Sequence, residues 1–418
     1  MHSHRSPRAV SLMFRSAAVL LVLAAGAAGA WGAAAKTLVV QAGPRDRELV
    51  PMSVALPDKA DKARLADAGR PVPCQVVDGR LWWVLDKLPA GASRNYTVEL
   101  GATPPAAEAG KGVELAKSAE HVAFTIDGQP FTTYAFQPGR QGKNLLRRPY
   151  FFPVYGPGQT AMTRPFPMVH EGLPANVATD PPHHTTIWVA HGEVNGVDDW
   201  SIAAKAGRQV HKDFPLMVGG PVVGVFRETL DWTDADRKPV LAETRTVRAY
   251  RLPDSSRMLD LELTFRAAYG KVVFGDTKEG GLCATRMRPE FRADKRGANG
   301  RLVNSEGQAG DAAWGKPAKW VDCSGEVDGK RLGYAIFDTP GNPRYPTTWH
   351  ARTYGLLTAN PFGLKSFDRK SPKGDFTIEA DKECTFRYRI YFHAGDEKSA
   401  DVAGRFADYA EPPAAAWK

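Results

Sequence analysis

The 418-residue chain is 43% hydrophobic and 24% charged, which excludes an intrinsically disordered protein and supplies enough apolar material for a large core. Its net charge of +9 comes from 55 basic and 46 acidic residues without blocks of one sign, so the charge does not indicate nucleic-acid binding. With 40 Gly, 32 Pro, 19 Phe, 12 Tyr and 10 Trp, short strands and tight turns are favoured, and we predict an all-β protein.

The first 35 residues have the pattern of an export signal. Arg5, Arg8 and Arg15 precede an apolar run over residues 17–31, and Ala33 to Ala35 form the small-residue site that a signal peptidase accepts. The alternative is an N-terminal membrane anchor, although the run is alanine-rich and shorter than a full span. We therefore expect residues 1–35 to be a signal peptide and the mature protein to be periplasmic or extracellular, with no membrane partner after cleavage.

Residues 36–102 predict a small β domain. Strand patterns at 38–41, 50–56, 81–85 and 95–100 are separated by Pro, Gly and Asp. Residues 103–112, TPPAAEAGKG, have the composition of a linker because they are poor in large apolar side chains. We place the domain boundary in this segment.

Residues 113–418 predict a large antiparallel β-sandwich. Asp127-Gly128 separates two apolar segments and suits the type I′ turn of a β-hairpin. Residues 257–266 alternate between apolar and polar side chains, and residues 386–392 repeat that pattern, as expected for strands that bury one face. Only residues 399–409 have helical spacing, so we expect a short helix near the C-terminus.

The four cysteines, Cys74, Cys283, Cys323 and Cys384, are far apart and form no C-x-x-C pair. This spacing does not support a zinc ribbon or a thioredoxin-type redox motif. One or two disulfides and four buried free thiols both remain compatible with an exported chain of this length.

Residues 179–200, TDPPHHTTIWVAHGEVNGVDDW, hold the densest group of functional side chains. An imidazole can move a proton near neutral pH or bind a metal, and a Trp ring can stack on a sugar. Adjacent residues on an extended segment point to opposite faces, so we expect only one of His183 and His184 to face a given pocket unless the backbone turns. The alternative is that these histidines satisfy loop hydrogen bonds.

Residues 276–288, DTKEGGLCATRMR, form a second cluster. Glu279 precedes Gly280-Gly281, and Arg286 follows in a strand-like run. A carboxylate at such a bend can act as a general base, and an arginine can clamp a carboxylate or sugar hydroxyls. A surface turn with a solvated Glu is the alternative.

Residues 342–363, NPRYPTTWHARTYGLLTANPFG, form the third cluster, with His350, Arg352, Tyr354 and Asn360. The segment has little alternation and much Pro and Gly, which predicts a long loop region of the kind that often carries function. Other catalytic templates are missing from the sequence: G-x-x-x-x-G-K-S/T, G-x-S-x-G and H-E-x-x-H do not occur.

Together with residues 147–167 and 320–346, these clusters resemble DUF6807, a family of exported bacterial proteins, over about residues 113–395. The family is often labelled "methane oxygenase PmoA". That methane monooxygenase subunit is an integral membrane protein and this chain lacks its spans, so we do not carry that function over. The family pattern D-H-P-H-H-R-G corresponds here to DPPHHTT, which keeps His183 and His184 but has Pro181 in place of the first histidine. A three-histidine metal site is therefore not supported, and the sequence identifies no metal and no cofactor.

Residues 36–100 look like the small β domains that precede catalytic domains in some exo-acting polysaccharide lyases. The larger domain is similar to the galactose-mutarotase-like supersandwich of several carbohydrate enzymes. These resemblances imply a sugar or oligosaccharide ligand in a concave face, and we predict that His183 or His184, Glu279 and His350 surround one pocket. The expected catalytic residues are His183, His184, Glu279 and His350, and the expected substrate-binding residues are Asp180, Trp188, His191, Asn195, Trp200, Arg286, Arg352 and Asn360.

The functional hypothesis is an exported carbohydrate-active protein that uses His/Glu acid-base chemistry. Hydrolysis, elimination and epimerisation all fit the residues, so a glycoside hydrolase and a polysaccharide lyase both stay open. Two alternatives belong to other classes. One is a non-catalytic glycan-binding protein. The other is a metal-dependent enzyme that uses the His183, His184 or His191 cluster with an acid such as Asp180 or Glu193.

Overall fold

The structure is a computed structural model that describes residues 35–105, 110–142, 144–173, 180–294 and 299–418. The predicted signal peptide, except its last residue, lies outside the described residues. Among the described residues, no helix has both the length and the apolar character needed to cross a membrane.

Residues 36–100 form seven strands in two small sheets. These strands are β1 (Lys36–Gln41), β2 (Arg47–Ala55), β3 (Ala63–Asp67), β4 (Arg70–Val72), β5 (Cys74–Val77), β6 (Arg80–Leu88) and β7 (Ser93–Leu100). Strands β2, β6 and β5 make a three-stranded sheet, and β1, β7, β3 and β4 lie in a five-stranded sheet. Alternate apolar residues such as Leu38, Trp83 and Val98 form a common core. The four predicted strand patterns overlap β1, β2, β6 and β7.

The next strands are β8 (Val113–Lys117), β9 (His121–Ile126), β10 (Gln129–Ala135), β11 (Arg140–Gln141), β12 (Asn144–Leu145), β13 (Tyr150–Val154), β14 (Ile187–His191), β15 (Arg208–Val218), β16 (Val223–Thr233), β17 (Pro239–Tyr250), β18 (Ser256–Arg266) and β19 (Val272–Phe274). They are followed by β20 (Gly280–Arg286), β21 (Arg301–Asn304), β22 (Trp320–Val327), β23 (Lys330–Phe337), β24 (Trp349–Arg352), β25 (Leu356–Ala359), helix α1 (Leu364–Phe367), β26 (Phe376–Ile378), β27 (Glu383–Ala394), helix α2 (Val402–Ala410) and β28 (Ala414–Trp417). Short 3₁₀ turns lie at Pro157–Gln159, Pro289–Phe291 and Gly310–Ala313.

Two antiparallel eight-stranded sheets form the large sandwich. The first sheet has the order β24-β25-β20-β14-β13-β10-β9-β8, and the second has the order β15-β16-β17-β18-β27-β23-β22-β21. Apolar residues from both sheets, including Phe124, Ile187, Leu261 and Tyr388, share one buried core. The predicted all-β fold with a large antiparallel sandwich is therefore confirmed.

Local patterns in the large sandwich match their strands. The alternating residues 257–266 lie in β18, where Leu259, Leu261, Leu263 and Phe265 are buried in the core. Asp127 and Gly128 connect β9 to β10 with φ of 51° and 77°. A type I′ turn needs positive φ at both central residues, which explains the Asp-Gly pair.

The C-terminal segment joins the two parts of the chain. Helix α2 overlaps the predicted helix at residues 399–409, and β28 then pairs antiparallel with β1. The last strand thus lies in the five-stranded sheet rather than in the large sandwich. Gln75 of β5 also connects the parts, because its amide donates to the Val223 carbonyl at 3.0 Å and accepts from the Val222 and Val223 amides.

The four cysteines are free thiols, and three of them are buried. Burial raises the pKa of Cys74 to about 12, which keeps this thiol protonated and unreactive at neutral pH. Of the alternatives left open by the sequence, the structure shows unpaired cysteines.

The outer faces of the two large sheets differ. On the second sheet, Phe337 and Tyr391 pack against Phe406 of α2, so part of that face is covered. On the first sheet, Ile187 and Val189 of β14 point into the core, whereas Trp188 and Ala190 lie in a smaller outer cluster with Trp200. That outer cluster forms the base of the candidate site.

Candidate functional site

A cleft of about 500 Å³ opens beside the outer cluster of the first sheet. The segment before β14 and the loop after it supply His183, His184 and Trp200, and the bend before β20 supplies Glu279. Strand β24 supplies His350 and Arg352 to the lining of the cleft, and the turn after β24 supplies Tyr354. The structure thus brings the three clusters singled out in the sequence to one cleft.

Both His183 and His184 line the cleft because the backbone turns at this point. The His184 amide donates to the Pro181 carbonyl at 3.2 Å, and the two imidazole centroids lie 4.4 Å apart. Buried guanidinium groups hold the outside of this turn. Arg148 donates to the His183 carbonyl at 2.9 Å, and Arg164 donates to the His184 carbonyl at 2.7 Å.

Asp180 and Arg286 support the cleft from behind rather than lining it. The Asp180 carboxylate pairs with Arg164 and with Arg286, the latter at 2.9 Å. Although partial burial acts in the opposite direction, Arg286 and Arg164 lower the pKa of Asp180 and keep it ionised. Arg286 also lies over the Tyr354 ring at 4.7 Å from its centroid and donates to the Tyr354 carbonyl. The predicted substrate contacts of Asp180 and Arg286 therefore do not fit their positions.

The stacking role predicted for Trp188 does not fit its burial. Trp188 is only 1% exposed and stacks on His184 at 5.6 Å and 20°, so its ring supports the imidazole. Trp200 lines the cleft but is 3% exposed and packs against His184 at 5.6 Å. Both rings fix the position of His184, whose own ring is equally buried, and the stacking contact predicted for Trp200 stays a prediction.

His191 lies outside the cleft lining, contrary to the substrate contact predicted for it. Its ring is fully buried between Phe274 and Phe362, and Nε2 donates to the Gly275 carbonyl at 2.8 Å. The donated hydrogen bond and the aromatic contacts indicate a structural histidine.

The side chains of Asn195 and Asn360 form hydrogen bonds with backbone groups and do not line the cleft. The Asn195 amide donates to the Lys271 carbonyl at 3.0 Å and accepts from the Val273 amide at 2.7 Å. Asn360 is fully buried and donates to the Thr277 carbonyl at 2.9 Å, which fixes the bend that carries Glu279. Their side-chain amides are occupied by these contacts, so the predicted substrate contacts do not fit.

The metal-dependent alternative lacks a ligand set. His191 is separated from the His183-His184 turn by its place among core phenylalanines. Over the described ranges, no group of three or more His, Cys, Asp and Glu side chains could hold a metal ion. These residues do not fit the site that the alternative requires.

The cleft imidazoles are uncharged at neutral pH. Burial, followed by the positive charge of Arg148, lowers the pKa of His183 to about 4. Burial is also the main cause for His350, where Arg352 adds to the effect and the pKa is lowered to about 3. The pKa of His184 is lowered well below its usual value by burial, with further contributions from the neighbouring cations. An uncharged imidazole can accept a proton.

Several buried polar atoms at the cleft have no hydrogen-bond partner of good geometry within the described part of the chain. They include Nδ1 of His184, Nε of Arg352 and one ring nitrogen of His350, whose ring also interacts with the Lys278 backbone. Leaving such a group unsatisfied costs about 1–3 kcal/mol, so native proteins rarely cluster them without a use. Atoms of this kind also occur away from the cleft, for example Nδ1 of His191 and Nε1 of Trp83, so what marks this group is that its members lie beside one cleft.

Only one of the two carboxylates that line the cleft is available to a ligand. Asp198 accepts from the Trp200 amide at 2.8 Å, from the Ser201 amide at 2.9 Å and from the Ser201 hydroxyl at 2.5 Å. The Glu279 side chain is 44% exposed, and its ion pair among the described residues is a loose one to Lys278 Nζ at 3.8 Å. The Asp198 carboxylate therefore stabilises the turn at Trp200 and Ser201, whereas the Glu279 carboxylate faces solvent.

Tyr354 is a cleft residue to which the sequence assigned no role. Burial raises the pKa of its hydroxyl, so the phenol is protonated at neutral pH and can donate a proton. The two-residue spacing of His350 and Arg352 was a signal for one face of a strand, but β24 ends at Arg352 and Tyr354 lies in the turn that follows. Its place in the cleft therefore depends on that turn and not on strand alternation.

Comparisons with known proteins give a family and remote likenesses of fold. The model of a family of unknown function, DUF6807, matches residues 121–407. No curated protein matches the chain. Among solved structures, a galactose mutarotase related enzyme from Lactobacillus acidophilus is 8% identical with a TM-score of 0.29, and the match covers 67% of this chain and 97% of that one.

A second solved structure, the heparan sulfate lyase HepC from Pedobacter heparinus, is 9% identical with a TM-score of 0.33. That match covers 68% of this chain and 37% of the lyase. Likenesses this remote concern fold alone, so the function has to be inferred from the cleft itself.

Proposed function

The chain belongs to the DUF6807 family, and we propose that it is an exported carbohydrate-active enzyme that moves protons on a sugar or oligosaccharide through His184, His350 and Tyr354. One observation carries the proposal. The two imidazoles and the phenol line the same cleft, and the buried ring nitrogens named above have no partner in the described protein. A cleft of about 500 Å³ rimmed by imidazole, guanidinium, phenol and carboxylate groups suits a hydroxyl-rich ligand.

The protonation states of these groups are complementary. The lowered pKa values leave the imidazoles free to accept a proton at neutral pH, and the raised pKa of Tyr354 keeps its phenol able to donate one. General acid-base catalysis needs one group of each kind within reach of the substrate. His184 and His350 are the proposed bases, and Tyr354 is the proposed acid.

The carboxylates favour elimination or epimerisation over hydrolysis. Most glycoside hydrolases use two carboxyl groups about 5 to 10 Å apart on either side of the scissile bond. Here the Asp198 carboxylate is occupied by backbone and hydroxyl donors, so Glu279 alone is available. A single base and a single acid suffice for elimination or epimerisation at a carbon that carries an acidic proton.

The surroundings hold the histidines rigidly. Arg148 and Arg164 donate hydrogen bonds to the carbonyls of His183 and His184, and Trp188 stacks on the His184 ring. Asp180 in turn fixes Arg164 and Arg286. Fixed surroundings of this kind keep a catalytic group in its productive orientation.

Product analysis on plant and algal polysaccharides and their oligosaccharides tests the proposal. We expect the mature protein to release unsaturated products that absorb in the ultraviolet, or to epimerise a sugar. Tyr354→Phe should lower the rate by about two orders of magnitude or more while ligand binding persists. Tyr269→Phe is the matched control, because Tyr269 is exposed and its hydroxyl donates to Asp231 on the second sheet.

Two outcomes would contradict the proposal. Glycan binding without any product would favour the non-catalytic glycan-binding protein. Full activity in Tyr354→Phe would remove Tyr354 from the proton transfer.

Export is part of the proposal and has its own test. The first 35 residues carry the signal pattern, and cleavage would leave Lys36 as the new N-terminus. Mass spectrometry of the protein recovered from the periplasm or the medium should find this N-terminus. An uncleaved chain retained in the membrane fraction would support the anchor alternative.

A further inference from the structure

Arg352 is a cation without a carboxylate partner. Of the ion pairs formed within the described part of the chain, none involves Arg352, although its guanidinium helps to line the cleft. Its Nε is buried without an acceptor, and its Cζ lies 5.2 Å from the centroid of the Trp314 ring. Trp314 thus gives the guanidinium a flat support, and the guanidinium also forms a hydrogen bond with the Tyr354 hydroxyl, while no carboxylate of the described chain pairs with it.

Three neighbouring cations have anionic partners, whereas Arg148 donates to the backbone carbonyls of Asp199 and His183. Arg164 and Arg286 share Asp180 behind the cleft wall, and Lys278 lies 3.8 Å from the Glu279 carboxylate. Among these cations, the one that lines the cleft and forms no ion pair in the described chain is Arg352 on the β24 wall. A positive group without an internal anionic partner attracts an anionic group from the ligand.

Arg352 also lies close to the groups proposed to move protons. Its charge is among the causes that lower the pKa of His350, after burial, and it acts on Tyr354 as well. His350 and Arg352 lie two residues apart on β24, Tyr354 lies in the turn that follows, and all three line the cleft. An anionic group held by Arg352 would thus lie beside both the base and the acid.

We propose that the sugar bound in the cleft is a uronate and that Arg352 binds its carboxylate. The inference rests on the proposed function and names the substrate class of the same site. A planar guanidinium matches a carboxylate with two parallel hydrogen bonds, and a charge-assisted pair of this kind fixes the sugar ring as well as attracting it.

The bound carboxylate makes elimination the reaction that this wall supports. Neutralising the carboxylate acidifies the C5–H bond of the uronate. His350 takes the C5 proton, the C5–H electron pair forms the C4=C5 double bond, and the C4–O4 bond breaks with its pair on O4. Tyr354 gives its proton to O4, and solvent returns the proton from the imidazole to the phenolate. Nothing is oxidised or reduced, and the products are an unsaturated sugar and a free hydroxyl.

Matched ligands test the carboxylate directly. Calorimetric titrations of Tyr354→Phe would use a uronate oligosaccharide, the same oligosaccharide with its carboxyl groups reduced to alcohols, and a sulfated neutral oligosaccharide of equal length. We expect the uronate to bind at least tenfold more tightly than its reduced form, and the wild type to give ultraviolet-absorbing product from the uronate alone.

Protein variants then locate the contact. Arg352→Met should weaken uronate binding at least tenfold and leave binding of the reduced oligosaccharide unchanged. The uronate affinity of Arg352→Lys should lie between those of the wild type and Arg352→Met, because lysine keeps the charge but loses the planar pair of donors. Arg369→Met removes the same charge from an exposed position outside the cleft lining and should change neither affinity. Melting temperatures show whether each variant is folded.

The outcomes separate the inference from the function on which it rests. Equal binding of the uronate and its reduced form would overturn the inference while turnover of a neutral sugar would still support the proposed function. Tighter binding of the sulfated ligand would also overturn it, because the anion would then be a sulfate ester. Absence of binding and turnover with every saccharide would overturn the proposed function as well.

Discussion

The two large sheets each carry a buried histidine with opposite surroundings. His393 of β27 lies on the outer side of the second sheet, and its Nε2 is 2.7 Å from the Asp322 carboxylate, which is also buried. Space for the ring comes from Gly333, where a Cβ would lie 2.4 Å from His393 Cε1. His350 of β24 on the first sheet is 2% exposed, has no carboxylate partner in the described chain and lies near Arg352.

The contrast between His393 and His350 distinguishes a structural histidine from one that is available to a ligand. A paired, covered histidine satisfies its partner and stabilises the fold, whereas breaking such a pair leaves a buried charge. A buried histidine whose ring nitrogens lack partners gives the fold no hydrogen bond and destabilises it by its desolvation. Such a group is retained where a ligand completes its contacts. Burial is therefore a poor guide to function until the partner of each ring nitrogen is known.

The largest expected effect is on activity and comes from His350→Leu. Loss of the proposed base should lower kcat by about two to four orders of magnitude. The free energy of unfolding should change by no more than about 1 kcal/mol, because no good hydrogen bond is lost and leucine fills a similar volume. Steady-state kinetics and urea unfolding of the same preparation measure both quantities. Loss of stability by several kcal/mol would instead make His350 a structural residue like His393.

The second effect is on stability and comes from His393→Leu. The change should lower the free energy of unfolding by about 3–5 kcal/mol, because it leaves Asp322 buried without its partner. The double variant His393→Leu/Asp322→Leu should recover part of that loss, and kcat of the folded fraction should stay at the wild-type level. If His393→Leu removed activity without destabilising the protein, the contrast between the two sheets would fail.

A third effect concerns pH. The pKa values of His183 and His350 fall to about 4 and about 3 in the folded state, against about 6.5 when unfolded. Below pH 6.5 the unfolded chain therefore binds protons that the folded chain does not, so stability is full above about pH 7 and falls as the pH drops. At pH 5 the loss is about 2 kcal/mol for each histidine. Urea unfolding at pH 7.5 and pH 5 measures it, and His350→Leu should flatten the dependence.

The smallest effect is expected from Glu279→Gln. The Glu279 carboxylate is half-exposed and loosely paired with Lys278, so its removal should change kcat by less than about tenfold if the imidazoles and Tyr354 transfer the protons. Kinetics beside Tyr354→Phe give the comparison. A loss as large as that of Tyr354→Phe would make Glu279 the general base, which is the role that the sequence suggested.

The sequence predicted which segments line the cleft better than it predicted the role of each residue in them. His183, His184, Trp200, Glu279, His350 and Arg352 were singled out and line the cleft. His191, Asn195 and Asn360 come from the same clusters but hold backbone carbonyls. Local composition identifies segments that carry polar chemistry, yet it does not show which way each side chain points or which carbonyl lies in reach.

The amino-acid sequence was enough to predict the all-β class, the Asp127-Gly128 hairpin, the strand at residues 257–266 and the segments that line the cleft. These follow from short-range periodicity and turn chemistry, which depend on neighbours in the chain. Three features could be read only from the three-dimensional arrangement: β28 returns to β1, Asp180 lies behind the cleft, and Arg352 forms no ion pair with a described residue. Those facts depend on contacts between different segments of the chain, where burial and charge pairing are settled by packing rather than by local pattern.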